Sequence, residues 1–216
     1  MTLSEKEQQE IKTLVGRFER ETGIEAVAAV VGRCDVYPEV PWKAYALGSA
    51  LGALAVMLYP APFSGWMIES TLALGAMVIL GAGAVFAALS ALVAPFGRVF
   101  LDRTRAEGEA RQYALGMFLD RELFGTAARR AVLLLVSRYE RVAVVLPDTG
   151  IARHVDPDDM DRVARAMRTA LRDRGVTGAF EAGFAELQAL VQTHGLSHEA
   201  TPGNALDNGI VTERGA

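Results

Sequence analysis

The chain is poor in the residues that usually announce chemistry. Its 216 residues include one cysteine, Cys34, and three histidines. A lone cysteine excludes an intramolecular disulfide and a cysteine-rich metal site, and near a strand end it reads as an inert small residue. No glycine-rich phosphate loop, nucleophile elbow or His-Glu metalloprotease motif occurs. Basic charge is not in excess. With 22 Lys and Arg against 26 Asp and Glu, the net charge of −4 gives no reason to expect nucleic acid as a partner. The first twenty residues, Met1 to Arg20, are highly charged and lack an apolar core, so no cleavable signal peptide is expected. Internal repeats and low-complexity segments are also absent.

What the chain has in quantity is apolar surface, 51% of its residues, concentrated in the middle. Ala44 to Tyr59 and Thr71 to Val93 are hydrophobic stretches separated by a turn carrying Pro60, Pro62, Ser64 and Gly65, and the second stretch contains no charged residue. A bilayer core needs about 20 apolar residues per helical crossing, so the second stretch spans comfortably and the first barely. The competing reading is a buried helical hairpin in a soluble core, which the Ala- and Gly-rich first stretch permits. Trp42, Tyr59, Trp66 and Phe96 fall at the ends of the stretches, as aromatic residues at a membrane interface do. Gly48 and Gly52 form a small-xxx-small pair, and Gly75, Gly81 and Gly83 offer close-approach surface on the second helix. Glu69, near the turn, reads as a boundary marker. Arg33 and Lys43 precede the hairpin and Arg98, Arg103 and Arg105 follow it, whereas the turn has no cation. The positive-inside rule then places both termini in the cytoplasm of a bacterial inner-membrane protein.

The remaining residues, roughly 160, suffice for one core. Ser4 and Glu7 have capping-box spacing, followed by Ile11, Leu14, Val15 and Phe18 on one helical face, with Gly23 as the stop. Ile24 to Val31 reads as a strand buried on both faces. After the hairpin, Ala106, Ala110, Tyr113, Ala114, Met117 and Phe118 recur at helical spacing. Ala131 to Val136 and Val142 to Leu146 read as adjacent strands of a hairpin, and Asp148, Thr149 and Gly150 then turn the chain. A third helix starts at Asp156 as cap, with Pro157, Asp158 and Asp159 in its first turn and Met160, Val163, Ala164, Met167 and Leu171 facing the core. Its Arg162, Arg165, Arg168 and Arg172 read as solvated charge, with contact to anionic lipid as the alternative. A fourth helix, with Phe180, Phe184, Leu187 and Val191 in register, follows a turn over Gly175 to Gly178. The tail from Thr201 reads as irregular.

The expected fold is α/β, a small sheet flanked by helices and interrupted by a two-helix transmembrane hairpin. Its parts are 1–33 (first part of the domain), 42–97 (hairpin), 102–196 (second part) and 197–216 (tail).

These residues resemble a known family. The run Phe124-Gly125-Thr126, then Ala131 to Ser137, then Glu140 through Asp148-Thr149-Gly150-Ile151 is similar to the TPM domain, shared by thylakoid-lumen and bacterial envelope proteins. Glu21 to Ile24 resembles that family's approach to its first strand, and Asn204, Leu206 and Asp207 resemble its tail motif. A hairpin between first strand and second helix is similar to a bacterial membrane subgroup. The resemblance implies a TPM-like fold, and for some plant members acid phosphatase activity with bound calcium, whereas many bacterial members have no established activity. The family's Asp before the first helix has no counterpart in Met1-Thr2-Leu3-Ser4.

Asp148 is the acidic residue singled out, because it follows a core strand and carboxylate oxygens suit calcium or magnesium; Asp120 and Glu122 are its candidate co-ligands. The opposing reading makes Asp148 an ordinary turn residue. Asp156, Asp158, Asp159 and Asp161 fail the calcium-loop template, and helix capping accounts for them. His194 and His198 have i, i+4 spacing without a third ligand and read as surface residues. The expected function is a binding or scaffolding module at a membrane surface, in contact with the lipid bilayer and a membrane or cytoplasmic protein. The alternative is a metal-dependent phosphatase-like hydrolase.

Overall fold

Helix α1 (Glu5–Thr22) begins as the spacing predicts: Ser4 Oγ accepts from the Glu7 amide at 3.2 Å, and the Glu7 carboxylate accepts from the Ser4 amide at 2.9 Å. Two orphan donors of the first turn are thus satisfied reciprocally. Gly23, in the left-handed region at φ 66°, closes the helix. Ile11, Val15 and Phe18 form its buried stripe.

Described here are residues 3–58, 68–126, 129–196 and 210–215 of a computed structural model. Tyr59, the 60–65 turn, Trp66, His198, Asn204, Leu206 and Asp207 lie outside them, as does the side chain of Glu69. The chain divides into two compact units, one of residues 1–35 with 104–216 and the other of 36–103.

In the first unit, β1 (Glu25–Arg33) pairs in parallel with β2 (Ala131–Ser137), which pairs antiparallel with β3 (Val142–Pro147). The tail expected to be irregular contributes a fourth strand, β4 (Val211–Gly215), parallel to β1 on its other side. The order is β3-β2-β1-β4. Only Val211 of that strand is buried, so it carries no apolar alternation by which to read it. Strand residues alternate between two cores, as a period of two requires. Ala26, Ala28, Val30, Val132 and Leu134 face Phe18, Met167 and Phe180; Val27, Ala29, Leu133 and Leu135 face Ala110, Ala114 and Met117. The result is three layers, with α1 and α7 (Pro157–Thr193) on one side and α5 (Arg103–Asp120) on the other.

Helix α7 unites the expected third and fourth helices. The turn between them narrows to a single non-helical residue, Gly175, at φ 74° and ψ −163°. Only glycine occupies that region without strain. Asp156 sits at the N-cap position with extended backbone, but its side chain makes no capping bond.

The second unit holds α2 (Glu39–Leu58), α3 (Ile68–Leu92) and the short α4 (Ala94–Gly97). Among the described residues one helix, over Leu72–Leu92, is long and apolar enough to cross a membrane; α2, diluted by Trp42, Lys43 and its glycines, does not stand on the same footing. The two helices pack through their small residues. A Cβ on Gly48 would lie 2.6 Å from the Ala82 carbonyl oxygen, and one on Gly52 would lie 3.0 Å from the Ile79 Cα. Gly83 meets Ser49 and Tyr45, whereas Gly81 meets nothing within 4 Å. Of the residues expected at a membrane interface, Trp42 is exposed, and Phe96 packs edge-on between Phe86 and Phe100 at 5.6 and 5.4 Å.

Candidate functional site

Asp148 stands where β3 ends. Its amide donates to the Ala131 carbonyl at 2.8 Å, which ties it to the start of β2. Its backbone is extended, and its carboxylate caps the one-turn helix α6 (Thr149–Ala152) by accepting from the Thr149 amide at 2.6 Å. The same carboxylate meets Arg129 Nε at 3.0 and 3.2 Å, so a guanidinium supplies the positive charge beside it. Asp148 is buried while Arg129 is half-exposed, its guanidinium 5.6 Å from the Phe124 ring centre. The turn reading and the sheet-edge reading therefore both apply.

The two proposed co-ligands do not join it. Glu122 occupies the left-handed region at φ 51° in the exposed turn after α5, and Asp120 lines a different recess. Among the described residues no three His, Cys, Asp or Glu side chains form a group that could hold a metal ion. His194 lies 3.6 Å from Asp159, which also pairs with Arg162 at 3.0 Å.

Two polar constellations escaped the sequence reading. The first ties the end of β1 to the β2–β3 turn: Glu140 accepts from the Cys34 amide at 2.8 Å and from the Ser137 hydroxyl. Glu140 is 8% exposed, and these bonds account for a carboxylate in that position. The second is a recess of about 380 Å³ beneath α5, lined by Cys34, Glu109, Gln112, Tyr113, Asp120 and Glu213 among others. The Tyr113 hydroxyl donates to Glu213 on β4, and Arg121 approaches the same carboxylate at 3.7 Å. Burial, followed by the Glu213 carboxylate, pushes the Tyr113 phenol far above its ordinary range. Burial, followed by the charge of Glu140, pushes the Cys34 thiol up to about 12.

A thiol held protonated is a poor nucleophile, and a phenol held protonated is a hydrogen-bond donor. The recess thus offers donors and charges suited to binding. The signal for Glu140 was a carboxylate in the short turn between two largely apolar strands; Glu213 had none, because it lies in a strand without alternation.

No family model matches the chain, and no curated protein matches it. Among solved structures, the NMR structure of BA42 protein from the psychrophilic bacterium Bizionia argentinensis is similar, with a TM-score of 0.56 over 98% of this chain and 96% of that one. The identity is 12%, so what the two share is the fold.

Proposed function

We propose that the protein is an integral inner-membrane protein in which α2 and α3 form a two-helix transmembrane hairpin, and that its TPM-like α/β domain serves as a binding or scaffolding module at the membrane surface. The observation that carries this reading is the reversed polarity of the helical unit. Leu54, Met57, Leu72, Met77 and Leu80 are exposed, whereas the buried positions include Ala44, Gly48, Gly52, Gly75 and Gly83. In water the large apolar side chains would be inside; in lipid they face the solvent, and small residues bring the backbones together. Leu72–Leu92, at 21 residues, matches a hydrocarbon core of about 30 Å, whereas the part of α2 beyond Lys43 falls short of it and spans barely. Lys43, Arg98, Arg103 and Arg105 flank the hairpin on the side of its two chain ends, which supports cytoplasmic termini.

Topology is the decisive test. With Cys34→Ser and one cysteine added after Ala216, a membrane-impermeant thiol reagent applied to intact cells should leave the protein unlabelled until lysis. Labelling before lysis would reverse the orientation, and release of the protein from membranes by alkaline carbonate would end the transmembrane reading.

A further inference from the structure

The turn from β2 to β3 is Arg138-Tyr139-Glu140-Arg141, and it lies at the sheet end where β1 finishes: the Arg138 and Tyr139 amides donate to the Val31 and Gly32 carbonyls, both at 3.0 Å. Glu140 is engaged with Cys34 and Ser137, and Tyr139 lies under the Arg33 guanidinium at 4.2 Å. Arg138, whose charge acts on Glu7, and Arg141 line a recess of about 230 Å³ together with Arg172, Gly175 and Val176 of α7 and Glu7 of α1.

Three arginines therefore line one recess in a chain whose carboxylates outnumber its cations, 26 to 22. The carboxylate among them, Glu7, already accepts from the Ser4 amide and hydroxyl at 2.9 and 2.8 Å. Among the described residues no carboxylate pairs with Arg141 or Arg172. On the same helix, by contrast, Arg162, Arg168 and Arg174 pair with Asp159, Glu107 and Glu181, each at 3.0 Å. The kink of α7 at Gly175 lies at the same recess. Arg141 itself stands at φ 55°, where Gly or Asn would be at ease.

We infer that this recess binds a phosphate-class oxyanion, held by Arg141 and Arg172. Guanidinium forks match the oxygens of a tetrahedral phosphate bidentately, and a dianion with three free oxygens can engage two of them at once. The phosphate belongs either to a small phosphorylated solute or to an anionic lipid headgroup. The assignment does not depend on which side of a membrane the domain occupies.

The test titrates the full chain in detergent with inorganic phosphate by calorimetry. In parallel, the chain is reconstituted in phosphatidylcholine nanodiscs doped with phosphatidic acid, and the lipid retained by the protein is counted. Saturable phosphate binding that weakens about tenfold per arginine removed in R141Q, R172Q and their double variant, and is unchanged in R165Q, assigns a soluble phosphate ligand. Selective retention of phosphatidic acid over phosphatidylcholine, lost in the double variant, assigns the headgroup. Should the double variant fail to fold, R141K with R172K keeps the charge and removes the forks, and weaker binding by that variant is the expected result. Absence of both kinds of binding in the wild-type chain, or equal loss in R165Q, overturns the inference.

Discussion

Asp148 unites three tasks in one side chain: it ends a strand, caps the next turn and neutralises Arg129. None of these requires a metal ion. Asp148→Ala should therefore lower stability by about 2 kcal/mol through the lost cap and the unpaired amide, and Asp148→Asn by less, because an amide oxygen still caps. Melting curves in calcium and in chelator should shift equally; a loss seen only with calcium would make Asp148 a ligand instead. Cys34 carries a pH prediction. Its thiol rises from an ordinary value of 9.0 to about 12 on folding, so the native state binds that proton more tightly than the unfolded chain. The corresponding stability is fully present below pH 9 and is lost as pH climbs from 9 towards 12. Ultraviolet titration of the thiolate should show no ionisation near pH 9, and a free-thiol reagent at pH 8 should react only after unfolding. Fast labelling of the native protein would contradict the burial described for Cys34.

At the scale of elements, the features that local chemistry determines were legible. The capping box at Ser4, the apolar stripe of α1, the doubly buried β1 and the β2–β3 hairpin all follow from neighbours within a few residues. The illegible features are those that join distant segments. Glu140 reaches Cys34 across 106 positions, and β4 finds β1 by backbone pairing with almost no apolar signal of its own. The arginines of α7 looked alike in sequence; only the fold separates Arg162 and Arg168, which pair with carboxylates, from Arg172, which lines a recess with Arg138 and Arg141. The glycines of the helical hairpin divide in the same manner. Gly48 sits 2.6 Å, measured from an ideal Cβ, from a backbone oxygen that cannot yield, whereas Gly81 faces open space. Gly48→Leu should thus cost about 1–3 kcal/mol by forcing the helices apart, and Gly81→Leu should be neutral. Thermal unfolding in detergent distinguishes them, and equal effects would contradict the packing.

At the scale of the whole molecule, the sheet is joined by pairings of very different range. β2 and β3 close locally, while β1 is bounded on both flanks by strands that lie far along the chain, β2 from Ala131 and β4 from Val211. Removing 211–216 should strip the cover from one flank of β1 and bare Val211's neighbours, lowering the melting temperature and promoting association through the open edge. Size-exclusion chromatography would show it, and a monomer of unchanged stability would make β4 dispensable. The arrangement also orders events during synthesis. Of the four described strands β1 leaves the ribosome first, and the helical unit of 36–103 follows it while neither partner yet exists. A strand of Ala and Val with both flanks vacant has to be shielded or kept unfolded over that interval, until β2 arrives and, much later, β4. The domain therefore matures around its oldest strand, and the apolar helices of 36–103 are synthesised before the strands that complete the sheet.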